Sequence, residues 1–107
     1  MWVVYLLCDS GHDNVYKIGI TKQNIEKRIK QLQTGNGSEI FLTAYHETEY
    51  PRYIEKMLHN RFSSDKEIGE WFSLENIKPS DFKKECEMLE RNIEALKDNP
   101  FFKEKKT

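Results

Sequence analysis

Residues 2–8, WVVYLLC, and residues 15–21, VYKIGIT, decide the fold of this chain. Both runs are β-branched and aromatic, and the DSGHDN between them is rich in turn formers. The pair therefore reads as an antiparallel hairpin. Beyond it, Thr21 or Asn24 offers an N-cap for a helix through about Gln33. Ile25, Ile29 and Leu32 give that helix one apolar stripe, and Gly35 suits its C-terminal stop. EIFLTAYH, residues 39–46, reads as a third strand. Pro51 fits the first turn of a second helix running to about Phe62, with Ile54, Met57, Leu58 and Phe62 on its buried face. Residues 63–70 read as a polar loop, and WFSL, 71–74, as a short strand or extended edge. Pro79 opens a last helix whose apolar residues Phe82, Cys86, Leu89, Ile93 and Leu96 alternate by four and three. Such a seam belongs to a helix lying lengthwise on something.

The order β-β-α-β-α-(β)-α predicts an α+β fold: a small antiparallel sheet of about three to four strands flanked by helices. The expected organisation is one domain, with a core over 1–75, a helix over 76–99 packing on that core or on a partner, and a flexible Lys-rich tail over 100–107. The helical seam could serve a homodimer, although covering the sheet is the simpler use.

The bulk numbers set limits. A chain of 107 residues supports one modest core. Hydrophobic residues make up 37% and charged residues 33%, which excludes a membrane-embedded class and predicts a soluble protein. MWVVYLL lacks a basic n-region and a cleavage site, so it is not read as a signal peptide. Cys8 and Cys86 fit neither a disulfide framework nor a metal site, which suggests small core residues in a reducing, cytoplasmic setting. The net charge of −1 argues mildly against nucleic-acid binding. Its distribution argues the other way: Lys17, Lys22, Lys27, Arg28 and Lys30 are opposed over that stretch by Glu26 alone. A local patch of this kind can contact a few phosphates, weakly and with strong salt dependence.

Several polar residues fall where chemistry could use them. Tyr5 is mid-strand; Arg28 lies roughly 60° to one side of its helix's apolar stripe; Glu55 and His59 are four apart on the second helix. A phenol can handle a proton, a guanidinium can hold phosphate, and a carboxylate can hold a metal. Each has a structural reading as well. Tyr5 suits a core aromatic, Arg28 a snorkelling surface residue, Lys17 a solvent-facing strand position, and Glu55 a local partner for His59 or Arg61.

Four motifs carry a resemblance: YKIGIT (16–21), RIKQLQTGN (28–36), EKMLHNRF (55–62) and GEWF (69–72). In this order the chain resembles the GIY-YIG nuclease superfamily, and most closely its short branch found in phages and large DNA viruses. The resemblance covers about residues 2–75 and leaves the last helix outside. It implies a metal-dependent endonuclease hydrolysing DNA phosphodiesters with magnesium or manganese. Tyr5 would act as general base or proton relay, Arg28 would stabilise the developing charge, and Glu55 would hold the metal. Lys17 stands where the family has a tyrosine and could activate Tyr5 or hold phosphate; His59 could carry a second proton. Tyr16, Lys22, Lys27, Lys30, Gln33, Asn36 and Glu70 are the residues expected to contact DNA or RNA. Glu70 or Asn76 would match the family's late polar position. The alternative is a catalytically quiet module that grips nucleic acid or a host protein, as in phage–host conflict.

Overall fold

The computed structural model describes residues 1–12, 15–62, 66–68, 71–73 and 78–97. Strands β1 (Trp2–Asp9) and β2 (Val15–Thr21) form the expected antiparallel hairpin, with Tyr5 opposite Gly19 and Leu7 opposite Lys17. Helix α1 (Ile25–Thr34) follows, then β3 (Ile40–Thr48), α2 (Pro51–Phe62), β4 (Lys66–Ile68), β5 (Trp71–Ser73) and α3 (Pro79–Leu96). The five strands make one sheet in the order β3-β1-β2-β5-β4, all antiparallel. The fold class is therefore α+β with a central antiparallel sheet and flanking helices.

Strand alternation sorts the core into two layers. Even-numbered Val4 and Leu6 join Ile18, Ile54 and Leu58, together with Phe82, Cys86, Leu89 and Ile93. Odd-numbered Tyr5 and Leu7 join Ile40, with Ile25, Ile29, Leu32 and Trp71 packed against them. Helix α1 thus covers one face of the sheet, while α2 and α3 cover the other. Most of the four-and-three seam of α3 is consumed within the chain: Phe82, Cys86, Leu89 and Ile93 are buried, while Leu96 at its end is exposed. Burying side chains of this size contributes about 1.5–3 kcal/mol each.

The helix boundaries have local causes. Asn24 caps α1, its side-chain oxygen accepting from the amides of Glu26 at 2.9 Å and Lys27 at 3.2 Å. Gly35 ends it, its backbone amide donating to Gln33. Three glutamates of α3 reach back to the elements around it. Glu85 pairs with Arg61 at 2.6 Å, Glu90 lies 3.1 Å from His46 Nε2, and Glu94 accepts from the Tyr50 hydroxyl at 2.9 Å.

Three expectations need correction. Residues 66–68 form a strand, not loop, because Ile68 pairs with Trp71 and extends the sheet past β2 through a second hairpin. Met57 is 39% exposed and not part of the α2 core, whose buried residues are Pro51, Ile54 and Leu58. Arg61 turns to Glu85 on α3 instead of to Glu55. Cys86 is buried and Cys8 half-buried, both as free thiols.

Candidate functional site

The unusual pairing in the sheet is Tyr5 with Gly19. A Cβ built on Gly19 would meet the Tyr5 hydroxyl and would stand 2.6 Å from its Cζ. The phenol therefore lies directly over the glycine, leaning from β1 across β2, and any side chain at position 19 would displace it. Tyr5 is 1% exposed, yet its hydroxyl has no hydrogen-bond partner among the described residues. Buried tyrosine hydroxyls normally find one, since leaving such a group unpaired costs about 1–3 kcal/mol. Register puts Lys17 and Thr21 on the same face of β2, to either side of Gly19. Trp71 stands opposite Lys17 on β5 and packs against the Tyr5 layer.

Helix α1 is oriented over this surface by Gln33. Its Nε2 donates to the Ser38 carbonyl at 2.7 Å, and its Oε1 accepts from the Ile40 amide at 2.8 Å. That pair of bonds fixes one flank of α1 to the start of β3. Arg28 lies on the other side of the apolar stripe, about 140° from Gln33 by helical spacing. Its side chain is half-buried at the border of that stripe. Within α1 its guanidinium lies 3.4 Å from Gln31 Oε1. Lys22, Lys27 and Lys30 are exposed on and just before the same helix. By helical spacing Lys27 and Lys30 lie on the side of α1 away from the stripe that packs on the Tyr5 layer, so they form its outward basic surface.

The other expected site residues are distributed differently. Glu55 and His59 face each other on α2, 3.8 Å from Oε2 to Nε2. That helix packs on the opposite face of the sheet, so the structure does not gather Glu55 with Tyr5 and Arg28 on one surface. Tyr16 also belongs to the opposite face, half-buried against the α2–α3 layer beside Cys8. Burial, with the neighbouring thiol, raises its phenol above the usual range. Among the described residues no three His, Cys, Asp or Glu side chains gather as a metal-holding group. Glu70 and Asn76 lie outside the described residues.

Gln33 and Asn36, expected to contact DNA, are hydrogen-bonded within the fold. Asn36 Nδ2 donates to the Ser38 carbonyl at 2.7 Å and to Asp9 Oδ2 at 3.1 Å. Asp9, which is not among the expected site residues, is the centre of this loop clamp. Its Oδ1 accepts from the Gly11 amide at 2.8 Å. The Asn36 and Gly11 bonds hold its carboxyl below the usual 3.8, despite its burial. The motif QLQTGN is thus a device for turning from α1 into β3. An aspartate ending an apolar strand just before Ser-Gly was the available signal, since that pattern favours an Asx turn.

Comparison with known proteins identifies the family. The T5orf172 domain matches over residues 3–98, a span that takes in α3 as well as the sheet. The chain is 30% identical over 106 residues to a protein of Invertebrate iridescent virus 6 named as a KilA-N domain-containing protein, 315L. That alignment covers 92% of the chain but 45% of the viral protein, so the chain spans less than half of its relative. No solved structure matches it. These matches overturn the resemblance to the GIY-YIG nuclease superfamily: the short motifs are shared, but the family that accounts for almost the whole chain is another. The roles that the resemblance implied for individual residues lose that support, and what remains for each is its geometry. The chain belongs to the T5orf172 domain family.

Proposed function

We propose that this domain is a nucleic-acid-binding module that grips backbone phosphate on its α1 face. The observation that carries the reading is the Tyr5 hydroxyl: buried, without a partner among the described residues, and on the sheet face that α1 covers and to which register assigns Lys17. A phosphate oxygen would give that hydroxyl an acceptor, while Lys17 and Arg28 supply charge-assisted contacts. Charge is also unevenly distributed among the elements. Five basic residues oppose one acid between Lys17 and Lys30, whereas α3 carries five acids against three bases. A protein with a net charge of −1 can thus present a basic side to a polyanion. The relative from a large DNA virus is consistent with a role on nucleic acid.

Hydrolysis is the second reading, favoured by the same unpartnered hydroxyl on the face that carries Lys17 and α1. One carboxylate can suffice for magnesium, with water and phosphate oxygens completing its shell. Glu55 is that carboxylate in this sequence, and its helix lies across the sheet from Tyr5 and Arg28. The binding reading needs no contribution from Glu55, and we prefer it.

One assay separates the two. Fluorescently labelled DNA and RNA, single-stranded and duplex, are titrated with wild type and with Arg28→Ala at low salt, with chelator and then with magnesium or manganese. Binding that needs no metal, weakened in the variant, with the oligonucleotide left intact, is the expected result. Metal-dependent cutting lost in Glu55→Ala would favour hydrolysis. Binding unchanged in Arg28→Ala would remove the proposed surface.

A further inference from the structure

We infer that the outer edge of β3 is a docking site for an extended segment of a partner protein, apolar at its centre and basic at both ends, which adds to the sheet as a further strand. This inference is independent of the nucleic-acid reading and concerns a different part of the surface.

β3 is the terminal strand of the sheet, hydrogen-bonded to β1 on one side and, among the described residues, to nothing on the other. It is also the longest strand, nine residues from Ile40 to Thr48. Edge strands are normally protected from pairing by shortness, by lysine, by proline or by a bulge. Between Ile40 and Thr48 there is no lysine, arginine or proline. One bulge is present, at Thr43, where Leu6 pairs with Ala44 and Leu7 with Leu42. To either side of it the strand exposes apolar surface: Phe41 is 45% exposed, Leu42 36% and Tyr45 47%. Register places Leu42 and Tyr45 on the α1 face and Phe41 on the α3 face, so an added strand would find apolar contacts on both its sides.

Charge selects the occupant. Glu39 precedes the apolar stretch, and Glu47 and Glu49 follow it; all three are exposed, and their carboxylates make no ion pair or side-chain hydrogen bond among the described residues. From Ser38 to Tyr50 the only other ionisable side chains besides Tyr45 and Tyr50 are these glutamates and His46, which is occupied by Glu90 of α3. A second copy paired antiparallel along the full length of β3 would bring Glu39 of each copy against Glu47 or Glu49 of the other, and like charges across strands are destabilising. A segment with lysine or arginine at both ends meets the acids at each end of the edge instead.

The test uses a short synthetic peptide of alternating valine and threonine with a lysine pair at each end, and its counterpart with glutamate pairs. Affinity is read by fluorescence anisotropy, and the position by amide hydrogen exchange in the full chain. The lysine peptide should bind and should slow exchange at β3 amides that face outward. The variant Glu47→Lys/Glu49→Lys should bind it about tenfold more weakly and gain affinity for the glutamate peptide. Because both positions are exposed, thermal unfolding should show the variant folded, and the gain for the glutamate peptide reports a working edge. Equal binding of both peptides, no binding, or binding without protection of β3 amides would each overturn the inference.

Discussion

Tyr5 and Gly19 act as one unit, because the glycine exists to leave room for the ring. Two substitutions separate its structural and functional parts. Gly19→Ala forces the ring out of a buried layer and should cost about 1–3 kcal/mol of stability, measured by urea unfolding. Tyr5→Phe removes only the unpartnered hydroxyl. It should leave stability unchanged or raised, since a buried polar group without a partner is itself a cost. Its affinity for nucleic acid should nevertheless fall by a factor of a few, as for one lost hydrogen bond. A Tyr5→Phe variant that unfolds more easily would mean that the hydroxyl has a structural partner. Asp9 gives a pH signature. Its carboxyl is held below 3.8 in the folded state by Asn36 and Gly11, so its contribution is fully present above that value. The contribution is lost as pH falls through the depressed folded value. The stability advantage of wild type over Asp9→Ala, about 1–3 kcal/mol near neutrality, should therefore be flat down to about pH 5 and shrink below pH 4. Arg28 and Lys17 were legible in the sequence because helical spacing and strand alternation place them. The use of Gln33 and Asn36 was not, because their partners are backbone groups that only the folded loop brings near.

At the scale of elements, α3 is a structural part of the domain. Phe82, Cys86, Leu89 and Ile93 of its seam sit in the same layer as Val4, Leu6, Ile54 and Leu58. Ile93, 1% exposed, should lose about 2–5 kcal/mol on substitution by alanine, with an unfolding midpoint independent of protein concentration. A concentration-dependent midpoint would instead point to a seam shared between chains. Helix and strand periodicity made most elements readable: the β1–β2 hairpin, the cap of α1 at Asn24 and the start of α2 at Pro51 all follow from local chemistry. The hairpin of β4 and β5 escaped, since Lys66–Ile68 is three residues long and too short for periodicity to register. That strand is set by its pairing with β5, a contact across space that leaves little trace along the chain. Which face of the sheet each helix covers was likewise hidden. That choice parts Glu55 from Arg28, although the sequence suggests one site for both.

Over the whole molecule, a net charge of −1 conceals an uneven division: five bases oppose one acid between Lys17 and Lys30, while α2 and α3 together carry six of each. The division predicts binding that weakens steeply with salt, the logarithm of affinity falling by about 0.9 per phosphate contact on duplex DNA. The most direct test of the phosphate-gripping face is a titration of isotope-labelled protein with a short oligonucleotide, followed by amide chemical shifts at low and moderate salt. Perturbations concentrated at Gly19, at Lys17 and from Lys22 to Lys30, fading as salt rises, are the predicted result. Perturbations centred on α3, or none at any salt, would contradict it.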